Sequence, residues 1–139
     1  MKLLFADTFY WAALLNVRDA WHEQAISYSQ PLKQVQIVTT DEVLLEFLNF
    51  FSSYGDYMRS GAAQRVQDVL RSNDVQIIYQ THTSFLDGLA LYAQRLDKGY
   101  SLTDCISMNA MRQFGMIEIL THDRHFTQEG FTILFNEPT

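Results

Sequence analysis

Short apolar runs recur along this chain, most of them separated from the next by a stretch of helical periodicity, and that alternation leaves few architectures open. Residues 2–6, 36–39, 75–79, 117–120 and 132–135 are apolar runs of strand length, too short to be buried helices. Between them the spacing predicts helices over 8–16, 19–30, 61–72, 82–97 and 101–114. Pro31 stops the second of these, because the residue before a proline disfavours helix, and Gly99 is a natural C-cap for the fourth. A further helix follows Thr39-Thr40-Asp41-Glu42, with Thr39 and Glu42 in capping-box spacing. It carries Val43, Leu44, Phe47, Leu48 and Phe51 on one face. Strands that alternate with helices need crossover connections, which give a parallel sheet covered on both faces. The fold class is therefore α/β.

With 139 residues, two prolines, six glycines and no low-complexity tract, the chain reads as a single domain over 1–139. A hydrophobic content of 47% excludes a disordered protein. No run approaches the roughly 18 apolar residues of a membrane span. The apolar start is interrupted at Asp7, too early for a signal-peptide core. The lone cysteine, Cys105, excludes an internal disulfide and a cysteine-rich zinc site. A cytoplasmic protein without membrane attachment is expected. The net charge of −6 argues against passive coating of nucleic acid, which needs a basic surface. It leaves open a metal-dependent nuclease, in which bound divalent cations offset the acidic site.

Two aspartates stand where strands should end: Asp7 after the first run, and Asp123 in Thr121-His122-Asp123 after the fourth. The carboxyl ends of parallel strands line the crevice where ligands bind in such folds. Glu46 and Asp104 sit near helix starts expected at the same end of the sheet. Singly, each has a plain structural explanation. Asp7 can cap a helix, Glu46 can be a solvated residue on the polar face, Asp104 can form a capping box with Ser101, and Asp123 can serve a turn. Jointly they make a carboxylate cluster suited to Mg2+ or Mn2+, hard cations that take carboxylate oxygens and water. Thr8, Thr103 and Thr121 adjoin these acids and can orient them by hydrogen bonding, or can be caps. Arg112 and Arg124 are candidate phosphate contacts.

Other side chains carry less. His22, His82, His122 and His125 form no metal-binding pair on a helix, and His122 and His125 read as exposed loop residues beside Asp123. Phe9, Tyr10, Trp11 and Trp21 read as core, as does Cys105. The sequence has no phosphate-binding glycine loop, dinucleotide fingerprint or nucleophile elbow. The segment Asp7-Thr8-Phe9 lacks the second aspartate of a haloacid-dehalogenase-type phosphatase.

These pieces together resemble a PIN domain, in particular the short bacterial ribonucleases of the VapC toxin type. The resemblance runs through Leu4-Phe5-Ala6-Asp7-Thr8, Asp19-x-x-His22-x-x-Ala25 and Thr39-Thr40 to Glu46. It continues through Ser101-Leu102-Thr103-Asp104-Cys105, then Leu120 to Phe126, with Gly130-Phe131 closing the pattern. It implies a three-layer fold with a five-stranded parallel sheet in order 3-2-1-4-5, flanked by helices. It also implies Mg2+- or Mn2+-dependent endoribonuclease activity on tRNA, rRNA or mRNA, with Asp7, Glu46, Asp104 and Asp123 as metal-binding, catalytic residues. A small cognate antitoxin is the implied partner, and a homodimer is a family-level expectation. Some relatives carry a further acid near the last aspartate, where this chain has Arg124 and His125. Two other readings stand beside this one: a non-catalytic PIN-like interaction module, and an RNA-maturation nuclease that is not a toxin.

Overall fold

Strand β1 (Lys2–Ala6) sits at the centre of the sheet, and its sequence explains why. Leu4, Phe5 and Ala6 are all buried, so side chains leaving both faces of the strand meet helices instead of water. The structure, a computed structural model, describes residues 2–29 and 34–136. After β1 come α1 (Thr8–Leu15), α2 (His22–Ser29) and β2 (Val35–Thr40), then α3 (Asp41–Phe50), α4 (Asp56–Arg71) and β3 (Val75–Ile78). The chain continues with α5 (His82–Gln94), α6 (Leu102–Gln113), β4 (Glu118–Leu120), α7 (His125–Gln128) and β5 (Thr132–Ile133).

All strand pairs are parallel, in the order β3-β2-β1-β4-β5. That is the order implied by the resemblance. The direction of winding reverses at β1, whose two neighbours β2 and β4 are reached by different crossovers. Phe5 pairs with Ile119 and Ala6 with Leu120. This register sets the next residues on each strand, Asp7 and Thr121, side by side at the switch point.

Several boundaries differ from the sequence-based expectation, each for a local reason. Helix α2 begins at His22, because the Asp19 carboxylate accepts the Trp21 N–H at 2.9 Å and holds residues 19–21 in a turn. Its expected end at Gln30 and Pro31 lies outside the described residues. The cap of α3 is Thr40, whose hydroxyl accepts the Val43 N–H at 3.0 Å. Thr39 remains in β2 and donates its hydroxyl to the Ala6 carbonyl at 2.8 Å, so the Thr39–Glu42 box does not form. Helix α4 starts at Asp56, and Gly61 lies inside it, where an added Cβ would come within 3.3 Å of Leu15. Helix α5 stops at Gln94, and Gly99, at φ +74°, serves the following loop. Helix α7 was not expected.

The core follows the predicted faces. Val43, Leu44, Phe47 and Phe51 are buried, with Leu48 packed at the margin. Tyr10, Trp11 and Cys105 are also buried. Phe135, fully enclosed near the chain end, stacks on Trp21 at 5.6 Å and meets the rings of Phe9 and Tyr28. This aromatic cluster ties α1 and α2 to the segment after β5, next to the strand ends that carry the acids.

Candidate metal centre

A cleft of about 750 Å³ opens at the carboxyl ends of β1 and β4, within the size range of ligand pockets. Asp7, Glu46, Asp104 and Asp123 all line it. They come from a strand end, the middle of α3, the first turn of α6 and the loop after β4, so only the folded sheet brings them together. A second cavity of about 380 Å³ lies beside the starts of β2 and β3 and holds no such cluster.

Asp7 is the deepest of the four, with 5% of its surface exposed. It occupies the N-cap position of α1, yet its side chain makes no capping bond. Instead Oδ2 accepts the Thr121 hydroxyl at 3.0 Å, and the buried Oδ1 has no hydrogen-bond partner among the described residues. Burial and the charge of Asp104 push its pKa up to about 7, against the hydrogen bond from Thr121. Capping therefore does not account for Asp7. A buried carboxylate oxygen without a partner is costly and calls for a ligand.

Asp104 fills both roles that the sequence left open. Its Oδ2 accepts the Ser101 N–H at 3.1 Å while its own N–H donates to the Ser101 hydroxyl at 3.0 Å, a reciprocal capping box. The same carboxylate faces the cleft. Burial raises its pKa despite the Ser101 bond, and the nearby charges of Asp123 and Glu46 add to the rise.

Glu46 is half-buried, and its Oε1 accepts the Thr8 hydroxyl. The solvated reading of this residue thus gives way to one in which its face of α3 turns into the cleft. Asp123 is also half-buried, and its Oδ1 accepts the His125 N–H at 2.9 Å. Thr121 links two acids, because the hydroxyl that donates to Asp7 also accepts the Asp123 N–H at 3.1 Å. Thr8 and Thr121 are therefore carboxylate-orienting residues. Thr103 does not line the cleft.

The two arginines separate. Arg124 is exposed on the cleft wall. Arg112 lies outside it, bound to Glu129 at 2.7 Å and set over the Phe131 ring at 5.2 Å, which occupies the guanidinium that phosphate would need. Against the reading of two exposed loop histidines, His122 is exposed but packs its ring on Phe9 and Trp21, and His125 is half-buried against the acids. The Nδ1 of His125 lies 3.3 Å from Asp123 Oδ1 and 3.7 Å from Asp104 Oδ2. The only signal for this in the sequence is its spacing of two from Asp123, which lets its N–H close a turn on that carboxylate.

The donor set fits a divalent cation. Carboxylate oxygens predominate, Asp7 Oδ1 makes no hydrogen bond among the described residues, and Asp104, Asp123 and His125 each offer a ligand atom within 4.8 Å of the others.

A five-stranded parallel sheet in order 3-2-1-4-5, flanked by helices and with acids at its switch point, defines a PIN-like fold. No family model matches the sequence, and no curated protein matches it. Among solved structures the chain is similar to VapC20 of Mycobacterium tuberculosis, described as a sarcin-ricin loop cleaving toxin. The two share 25% identity with a TM-score of 0.79, over 93% of this chain and 96% of that one. The resemblance to PIN domains of the VapC type, carried in the sequence by scattered motifs, thus extends over nearly the whole fold.

Proposed function

We propose that this chain, read as one domain over residues 1–139, is a metal-dependent endoribonuclease and the toxin of a toxin–antitoxin pair. The observation that carries this reading is the convergence of Asp7, Glu46, Asp104 and Asp123 on one cleft of a VapC-like fold, with Asp7 Oδ1 buried and unpartnered. In this reading those four acids hold Mg2+ or Mn2+, directly or through water. When bound, such an ion supplies a water of lowered pKa and offsets the charge of the scissile phosphate.

The chain's own residues prepare that chemistry. Thr121 fixes the Asp7 carboxylate with one hydrogen bond and the Asp123 backbone with another, so the two strand ends keep a set separation. Thr8 does the same for Glu46. Ser101 positions Asp104 through the capping box, and burial at the cleft floor keeps bulk water from competing for Asp7. Arg124, exposed on the wall, contacts substrate phosphate. Arg112 and Thr103 act elsewhere, in packing and in the first turn of α6. In-line attack of water on phosphorus, with the P–O3′ bond breaking and the leaving 3′-oxygen taking up a proton, leaves a 5′-phosphate and a 3′-hydroxyl. The substrate is tRNA, rRNA or mRNA, and the similarity to VapC20 favours structured rRNA. A small antitoxin and a second copy of the chain are the expected partners, and the cytoplasm is where these meet. No helix among the described residues is long and apolar enough to cross a membrane.

The test is cleavage of tRNA, rRNA and intact ribosomes by purified protein in Mg2+, Mn2+ or chelator, with Asp7→Asn as the matched control. Cutting that needs metal and is lost in the variant is the expected result. Absence of cutting on all substrates by a folded, metal-loaded protein favours the interaction-module reading and overturns this one.

A further inference from the structure

The side chain that the carboxylate chemistry leaves without a role is His125. It occupies the first position of α7, lines the cleft, and directs Nδ1 at two of the acids. That nitrogen is buried and has no hydrogen-bond partner among the described residues. It stands 3.3 and 3.7 Å from the nearest oxygens, within reach of both carboxylates without a hydrogen bond to either. The same separations suit two ligands of one ion. With metal–ligand bonds of roughly 2.1–2.2 Å, adjacent octahedral ligands stand about 3 Å apart and opposite ones about 4.3 Å.

The ring is also held in place. Tyr100 meets it edge-on at 5.3 Å between centroids, and the Tyr100 hydroxyl donates to Glu129 at 2.9 Å. Glu129 is in turn gripped by Arg95 at 2.9 Å and Arg112 at 2.7 Å. The backbone N–H of His125 is fixed on Asp123. A buried ring nitrogen without a hydrogen bond, on a ring braced from behind, is placed as a metal ligand would be, and an independent signal comes from the unpartnered oxygen of Asp7 in the same cleft.

We propose that His125 is itself a metal ligand through Nδ1, beside Asp104 and Asp123, and that this nitrogen makes the site prefer Mn2+ to Mg2+. The inference rests on the metal-dependent reading above and adds a ligand to it. Magnesium takes oxygen donors and parts reluctantly with its water, whereas imidazole nitrogen strengthens binding of first-row transition ions. An all-carboxylate site discriminates less between the two ions.

The experiment uses the full chain and Mn2+ as the probe. Pulsed electron paramagnetic resonance of the Mn2+-loaded protein reads nitrogen-14 coupling, and calorimetry gives the Mn2+ and Mg2+ affinities of wild type, His125→Ala and His125→Asp. Circular dichroism and melting confirm that each variant is folded. Wild type should show nitrogen coupling that both variants lack. Mn2+ affinity should fall in His125→Ala by no less than the roughly tenfold that loss of an outer partner costs, and the Mn2+-over-Mg2+ affinity ratio should fall in both variants. His125→Asp should recover Mg2+ binding without the nitrogen signal. Tight Mn2+ binding with no nitrogen coupling in wild type, or an unchanged affinity ratio in the variants, overturns the role of His125 and leaves the carboxylate site standing. Failure of wild type to bind Mn2+ at all overturns both the ligand assignment and the metal-dependent reading.

Discussion

Asp7 is held where ionisation is least favourable, at the floor of a crevice with one oxygen unpartnered and other acids nearby. Its folded pKa of about 7 lies above the ordinary 3.8 that the unfolded chain keeps. Between those values the folded state holds a proton that the unfolded state has lost, so stability falls as pH rises through this window. The decline from this one group is at most about 1.4 kcal/mol per pH unit. In chelator, urea midpoints of the wild type should therefore drop between pH 4 and 7, while Asp7→Asn shows a flatter profile and is the more stable protein at pH 8. Parallel profiles for the two proteins would remove Asp7 as the origin of the strain. At this scale much was legible: an acid at the end of an apolar run is visible in the sequence. The depth of Asp7 was not, because burial depends on what α1, α3 and α6 place above it. His125 was illegible for the same reason, since its ring gains meaning only against Asp104, which lies 21 positions earlier.

The site is built at the ends of elements, and those ends are joined by one carboxylate outside the cleft. Glu129, just after α7, binds Arg95 at the end of α5, Arg112 in the last turn of α6 and Tyr100 before α6. Burial alone would raise its pKa, but the hydrogen bonds from Arg95, Arg112 and Tyr100 outweigh burial and hold it down to about 2. The stabilisation is therefore complete above the unfolded value of 4.5 and is lost as pH falls from there toward 2. Glu129→Gln should cost about 1.5–3 kcal/mol at pH 7, and the gap to wild type should close on acidification. Chemical denaturation at pH 7 and pH 3 checks this. An equal cost at both would mean that packing, not the ionised carboxylate, is what matters. Helix faces and most caps were readable at this scale, since Ser101–Asp104 and the apolar stripe of α3 are local patterns. The end of α5 and the existence of α7 were not. Arg95 leaves the helix to meet a glutamate 34 residues away, and a four-residue helix has no periodicity to detect.

At the scale of the whole molecule, and on the metal-dependent reading proposed above, an acidic protein with an acidic cleft should gain stability by admitting a cation. Mn2+ at a hundred times its Kd should stabilise the fold by about 2.7 kcal/mol through mass action. Scanning calorimetry with rising Mn2+, set against chelator, should show the melting temperature climb in wild type and barely move in Asp7→Asn. A wild-type melting temperature indifferent to the ion would contradict a metal centre here. The sequence by itself determined the architecture, because alternating short apolar runs and amphipathic helices have few ways to bury their surfaces other than a doubly covered parallel sheet. It also singled out the acids that line the cleft, since Asp7 and Asp123 follow strands, Asp104 opens a helix and Glu46 stands within α3, each inside a motif. The tertiary structure alone decided which of them are buried, which threonines serve them, that Arg112 is committed to Glu129, and that His125 stands among the acids. The physical reason is that motif spacing acts along the chain, whereas desolvation and ligand geometry act across it. Here they follow from the register that sets Ala6 against Leu120 at the switch point of the sheet.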